Sequence, residues 1–195
     1  EYANARAALE DFFWNDFCDN YLELVKARAY DPENANPAGK LSAQLTIYHC
    51  LDGILRGFAP FLPHVTEELW SHIFAERFDA VGSIHARGNW PQQGEYFVNA
   101  EAETSGIAAV ELLNAIRKAK SERNVSIKFP IIHAAIAAGN TEANWALIEG
   151  VIADVQAAGT VGSVSWEDAA GTGATASDSG KFLLALEFAE NAQSA

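Results

Sequence analysis

Five cations fall between residues 117 and 128: Arg117, Lys118, Lys120, Arg123 and Lys128. The 195-residue chain has only thirteen lysines and arginines, so this stretch is enriched. Asn114, Arg117, Lys118 and Ser121 stand at i, i+3, i+4 and i+7, which places them on one face of a helix. Such a stripe can donate charge-assisted hydrogen bonds to phosphate oxygens. Lys120, Arg123 and Lys128 would add charge where the chain turns toward a strand. A plainer reading fits the same residues. Cations in a last helical turn complement the helix dipole, and Asn124 is a suitable helix stop. At this level both readings stay open.

Bond-making chemistry finds less support. Asn15, Asp19 and Glu23 recur at four-residue steps and could pair carboxylates for acid–base work. No partner base or metal ligand accompanies them, so a solvated face is favoured. His64 and His72 frame a helix start without H-E-x-x-H spacing, which favours capping or surface roles. "GTGATASDSGK" lacks phosphate-loop spacing, and Phe182 stands where that loop requires a hydroxyl. No G-x-S-x-G elbow occurs. Cys18 and Cys50 lie far apart, so a zinc site is unsupported and free thiols in a reducing compartment are expected. The sequon Asn124-Val125-Ser126 is read as chance. No catalytic residue and no metal ligand are assigned, nor is any cofactor.

Composition sets the frame. Hydrophobic residues make up 49% and aromatics 11%, enough for a globular core. The formal charge of −13 argues against generic nucleic-acid binding, and DNA is excluded as a partner. No apolar run is long enough to span a membrane. No array of alternating aromatic and basic residues suited to stacking single-stranded bases is apparent. The chain holds no methionine even at position 1, which suggests a piece of something larger.

The elements that must position these residues follow from periodicity. Apolar spacing predicts one helix over 4–30, with a stripe wide enough to need cover on more than one side. Residues 31–40 read as a loop, and 41–58 as a second helix ended by Pro60. In that helix Asp52 precedes Arg56 by four residues, a helix-surface pair, and Gly53 and Gly57 leave a face for close approach. Thr66 is the expected cap of the next helix, with Glu67 and Glu68 at its positive end. After a polar stretch come a helix over about 102–123, a strand over 125–138 and a helix over about 142–157. Strands at 160–166 and 181–188 are expected to form an antiparallel hairpin. The expected fold is mainly α: a helical bundle over 1–91, a linker over 92–106, and a small α+β subdomain with an antiparallel sheet over 107–195.

"FFWNDFCDNYLELVKARAY" (12–30) and "LRGFAPFLPHVTEELW" (55–70) together resemble the anticodon-binding helical domain of class I aminoacyl-tRNA synthetases. Ser83-Ile84 and Trp90-Pro91 match the element that follows it. The Pro-x-x-Pro-x-x-Thr-Glu-Glu-Leu-Trp arrangement is shared by the valyl, isoleucyl and leucyl branches. The "FWNDFCDxYLE" run and "AIRKAKSERNVSIKFPI" (115–131) look most like the valyl branch, except that Asn20 stands where an aromatic is common. The resemblance covers about residues 5–132. It implies binding of tRNA, here tRNA-Val, through Arg117, Lys118, Lys120, Arg123 and Lys128, and a cytoplasmic location. It also implies that activation of valine with ATP and Mg takes place in domains preceding residue 1. Apolar helix faces left open would then be exposed or covered by self-association. The alternatives are the same domain of an isoleucyl or leucyl enzyme, or a helical protein–protein interaction module without RNA binding.

Overall fold

The computed structural model describes residues 1–74, 82–86, 90–92, 94–96, 98–138, 141–169 and 171–190. Residues 87–89, 93 and 97, which belong to the Ser-Ile…Trp-Pro element and the expected linker, lie outside them. The chain divides into two compact units. One comprises residues 1–22 and 28–98, the other residues 23–27 and 99–195.

The first unit is helical, and its opening departs from the expected single α-helix. Helix α1 (Tyr2–Asp11) runs into a π-helix over Phe12–Leu22, and α2 (Glu23–Tyr30) follows. A π-helix closes its hydrogen bonds five residues apart, so side chains five apart approach each other. Phe12 and Phe17 stack at 6.5 Å, a pair that meets only in this wider turn. The same widening breaks the four-residue line of Asn15, Asp19 and Glu23. Asn15 donates to the Asp11 carboxylate, while Glu23 accepts from Lys26 at 3.0 Å.

Helix α3 (Pro37–Phe58) begins inside the stretch read as a loop. Asn36 caps it by accepting from the Gly39 N–H at 3.0 Å, and Pro37 occupies the first turn, where its missing N–H is harmless. Close approach at the glycines is realised. A methyl on Gly57 would lie 3.0 Å from a Leu9 methyl, and one on Gly53 would lie 3.1 Å from the Tyr96 oxygen. Helix α4 (Pro63–Ile73) starts four residues earlier than expected, at its own proline. Thr66 is therefore not a cap. It is buried inside the first turns, and its hydroxyl donates back to the Leu62 carbonyl at 2.9 Å. Leu55, Ala59, Trp70, Phe74 and Ile84 form the core of this unit, with Tyr48 and Leu51 against it.

The second unit is a layer of helices on a sheet. Helix α5 (Ala100–Glu122) is capped by Asn99, which accepts from the N–H groups of Glu101 and Ala102. The last residues of the 92–106 stretch are thus its first turns. Strand β1 spans Ile131–Ala138, followed by α6 (Thr141–Ile148), α7 (Ile152–Gly159), β2 (Val161–Glu167), β3 (Thr175–Ala176) and β4 (Phe182–Phe188). The single helix expected near 142–157 is two helices, separated by a turn at Glu149, Gly150 and Val151.

The sheet is mixed and runs β2-β1-β4-β3. The expected hairpin of 160–166 with 181–188 does not form, because β1 lies between β2 and β4. β1 pairs with β2 in parallel and with β4 antiparallel. Parallel neighbours require a crossover, and α6 with α7 supplies it. The apolar run IIHAAIAA suits a central strand. Leu112, Leu113, Ile116, Ile131, Ile136, Ile148, Phe182 and Leu184 are among its core residues. Ser177 and Ser179 both donate to the Glu111 carboxylate, which ties the β3–β4 turn to α5.

Candidate nucleic-acid interface

The Thr-Glu-Glu-Leu-Trp run and the Ser83-Ile84 element meet in the first unit. Glu67 accepts from the Ser83 hydroxyl at 2.8 Å and from the Ile84 N–H at 3.0 Å. It joins α4 to the following segment and seats Ile84 in the core; helix-start chemistry does not describe it. Trp70 donates through its indole N–H to Asp52 at 3.3 Å.

Asp52 also accepts from Arg56 at 3.0 Å, so the expected surface pair exists, but both partners are buried. Arg56 is further clamped by both oxygens of Glu95 and contacts the Tyr96 hydroxyl. Burial lowers the Arg56 pKa, but the hydrogen bonds to Glu95 and Asp52 outweigh that, so it stays charged. Burial and the nearby Asp52 carboxylate push the Tyr96 phenol up to about 12. Every polar group in this set has a protein partner. It is a structural latch.

The cationic stretch separates into three environments in the second unit. Arg117 and Lys118 occupy the outer stripe of α5 as expected. Arg117 donates to Asn114 at 3.3 Å, and Lys118 is exposed. Lys120 is the correction. Its side chain is only 1% exposed, and its ammonium donates to the Ile127 carbonyl at 2.7 Å and the Gly159 carbonyl at 2.8 Å. It cannot reach an RNA phosphate without abandoning both, and burial pulls its pKa down.

Beyond Lys120, α5 stops as the sequence suggests. Asn124 adopts φ +54°, the Val125 N–H returns to the Lys120 carbonyl, and the Asn124 N–H returns to Ser121. Arg123 and Lys128 are exposed, and Arg123 lies off the outer stripe, where the chain turns. Its guanidinium lies 4.1 Å above the centre of the Phe188 ring. Phe129, next to Lys128, has its ring 6.4 Å from that of Phe188. Sequence reasoning missed both aromatics, since Phe188 is distant in the chain. The available signal was an aromatic ending each of two adjoining apolar segments, one of them beside Lys128.

Four of the five proposed phosphate ligands therefore remain accessible in whole or part, on α5 and the turn that follows it. Arranged this way they can bind anions and flat rings. Residues 1–136 match the family model for the anticodon-binding domain of tRNA ligase. The chain belongs to that family. It is 47% identical over 132 residues to the valine–tRNA ligase of Rickettsia felis, which covers 67% of this chain and 15% of that protein. The valine–tRNA ligase of Wolbachia sp. subsp. Brugia malayi is 36% identical over 187 residues, 96% of this chain and 21% of that protein. The chain thus spans only about a fifth or less of the length of these relatives.

Proposed function

We propose that this chain is the tRNA-binding, anticodon-recognising part of a valine–tRNA ligase acting on tRNA-Val. Valine activation with ATP and magnesium would be the work of other parts of such an enzyme, in the cytoplasm. Arg117, Lys118, Arg123 and Lys128 would contact the RNA, and Lys120 would hold the scaffold beneath them. The observation that carries this reading is that the family match, residues 1–136, includes the whole cationic stretch. Within it, Lys118, Arg123 and Lys128 are exposed and Arg117 is half-buried, while Lys120 is enclosed in the core.

The test is kinetic. Arg117→Glu combined with Lys118→Glu in the full-length ligase should raise the KM for tRNA about tenfold, since a charged hydrogen bond contributes on the order of 1.5–3 kcal/mol. ATP–pyrophosphate exchange with valine should be unchanged. An unaltered KM for tRNA would remove these residues from the interface.

A second reading rests on Phe12, Trp14, Leu41 and Leu45, which stand exposed on helices of the first unit. These apolar faces fit coverage by other parts of a longer protein or by a second copy. A sedimentation profile that changes with concentration would favour the second copy.

A further inference from the structure

We propose that the cleft at the C-terminal end of α5, walled by Arg123, Phe129 and Phe188, receives one unpaired nucleobase of the bound RNA. This deepens the RNA-binding reading above and rests on it. At 3.6 residues per turn, Arg123 falls in line with the buried Ile116 and Ala119, away from the Arg117–Ser121 stripe. It therefore projects over the sheet end and serves a different surface.

The cleft has a volume of about 340 Å³ and is lined by Arg123, Val125, Phe129, Phe188 and Ala189. That volume is at the small end of ligand sites, about 300–1,000 Å³, and suits a single flat ring. A smaller hollow of about 140 Å³ shares Arg123 and Phe188 in its lining. The Arg123–Phe188 stack thus borders two depressions.

Three features select a base over an apolar side chain. Unpaired bases are held by stacking on aromatic rings and on arginine planes, and this cleft offers both kinds of surface. No carboxylate is among the described residues that line it, while Glu122 lines the adjoining hollow, so a phosphodiester entering with the base is best accommodated on the Phe129 side. Lys128, exposed and next to Phe129 in the chain, supplies a cation for that phosphate. The walls are also held in place beforehand. Lys120 fixes the Ile127 carbonyl, and the Ala189 N–H donates to the Pro130 carbonyl at 3.1 Å. Little ordering is then required on binding.

The experiment compares a stem-loop RNA with a fully paired duplex of equal length, both titrated against the full-length protein and its variants. Phe188→Leu removes the ring and keeps apolar bulk, while Arg123→Lys keeps the charge and removes the plane. Each should weaken stem-loop binding about tenfold, the weight of one stacked base, and leave duplex binding unchanged. A 2-aminopurine placed at successive loop positions should be quenched at one position by the parent protein and not by either variant. Thermal melting monitors folding; if Phe188→Leu does not fold, Arg123→Lys at an exposed residue still decides. Stem-loop binding unaffected by Arg123→Lys, or lost equally on both RNAs, overturns the cleft while the RNA reading survives. Failure of the parent protein to bind either RNA overturns both.

Discussion

Lys118 and Lys120 sit two residues apart on one helix and do opposite things. Lys118 faces water, where a phosphate could replace its hydration. Lys120, on α5, donates to two backbone carbonyls, one in the turn before β1 and one at the end of α7. Charge count in the sequence cannot separate the two, because helical position matters only once the buried face is known. The buried face centres on Leu112, Ile116 and Ala119, and Lys120 borders it. Lys120→Met should destabilise the protein by about 2 kcal/mol, the cost of leaving buried acceptors unpaired. Lys118→Met should change stability by less than about 0.5 kcal/mol. Urea denaturation of both variants checks this; equal midpoints would contradict the assignment of Lys120 to the scaffold.

At the scale of elements, the helices were the legible part. Apolar periodicity located α3, α4 and α5, and Asn124 marked the end of α5. What escaped was chemistry that depends on distant partners. Glu67 reads locally as an acidic residue near a helix start, yet its Oε2 accepts from both Ser83 and Ile84. Arg56 reads as half of a surface pair until Glu95 covers it from a segment far along the chain. The strand order was illegible for the same reason, since nothing near Val161 announces that β1 will intervene.

The Arg56 latch makes a pH prediction. Hydrogen bonding to Arg56 holds the Glu95 carboxyl below its usual range, against a smaller opposing effect of burial. A depressed folded-state pKa stabilises above the unfolded value, near about 4.3, and that stabilisation disappears as pH falls through the lower folded value. Thermal stability should therefore drop below about pH 4. Glu95→Gln should make the acid limb shallower, and an identical limb would show that the latch carries no pH-linked stability.

For the whole molecule, the formal charge of −13 alone points away from nucleic acid, and the local arrangement reverses that reading. A phosphate responds to charges within about a Debye length, roughly 8–10 Å at moderate salt, far more than to a distant total. On the proposed reading, an acidic remainder also discourages indiscriminate contact and leaves the outward face of α5 and the turn after it as the landing surface. The motif runs in the sequence carried the family, and through it the partner class. They could not show that one of five candidate ligands is internal or that two aromatics join the rest. The most direct measurement is filter binding of the full-length protein to tRNA-Val and to a non-cognate tRNA over a salt series. We expect tighter binding of tRNA-Val, with an affinity that falls linearly with salt on logarithmic axes, and a slope reduced by about one for each of Lys118 and Lys128 replaced by Gln. Equal affinity for the two RNAs, together with a slope indifferent to both substitutions, would contradict the account.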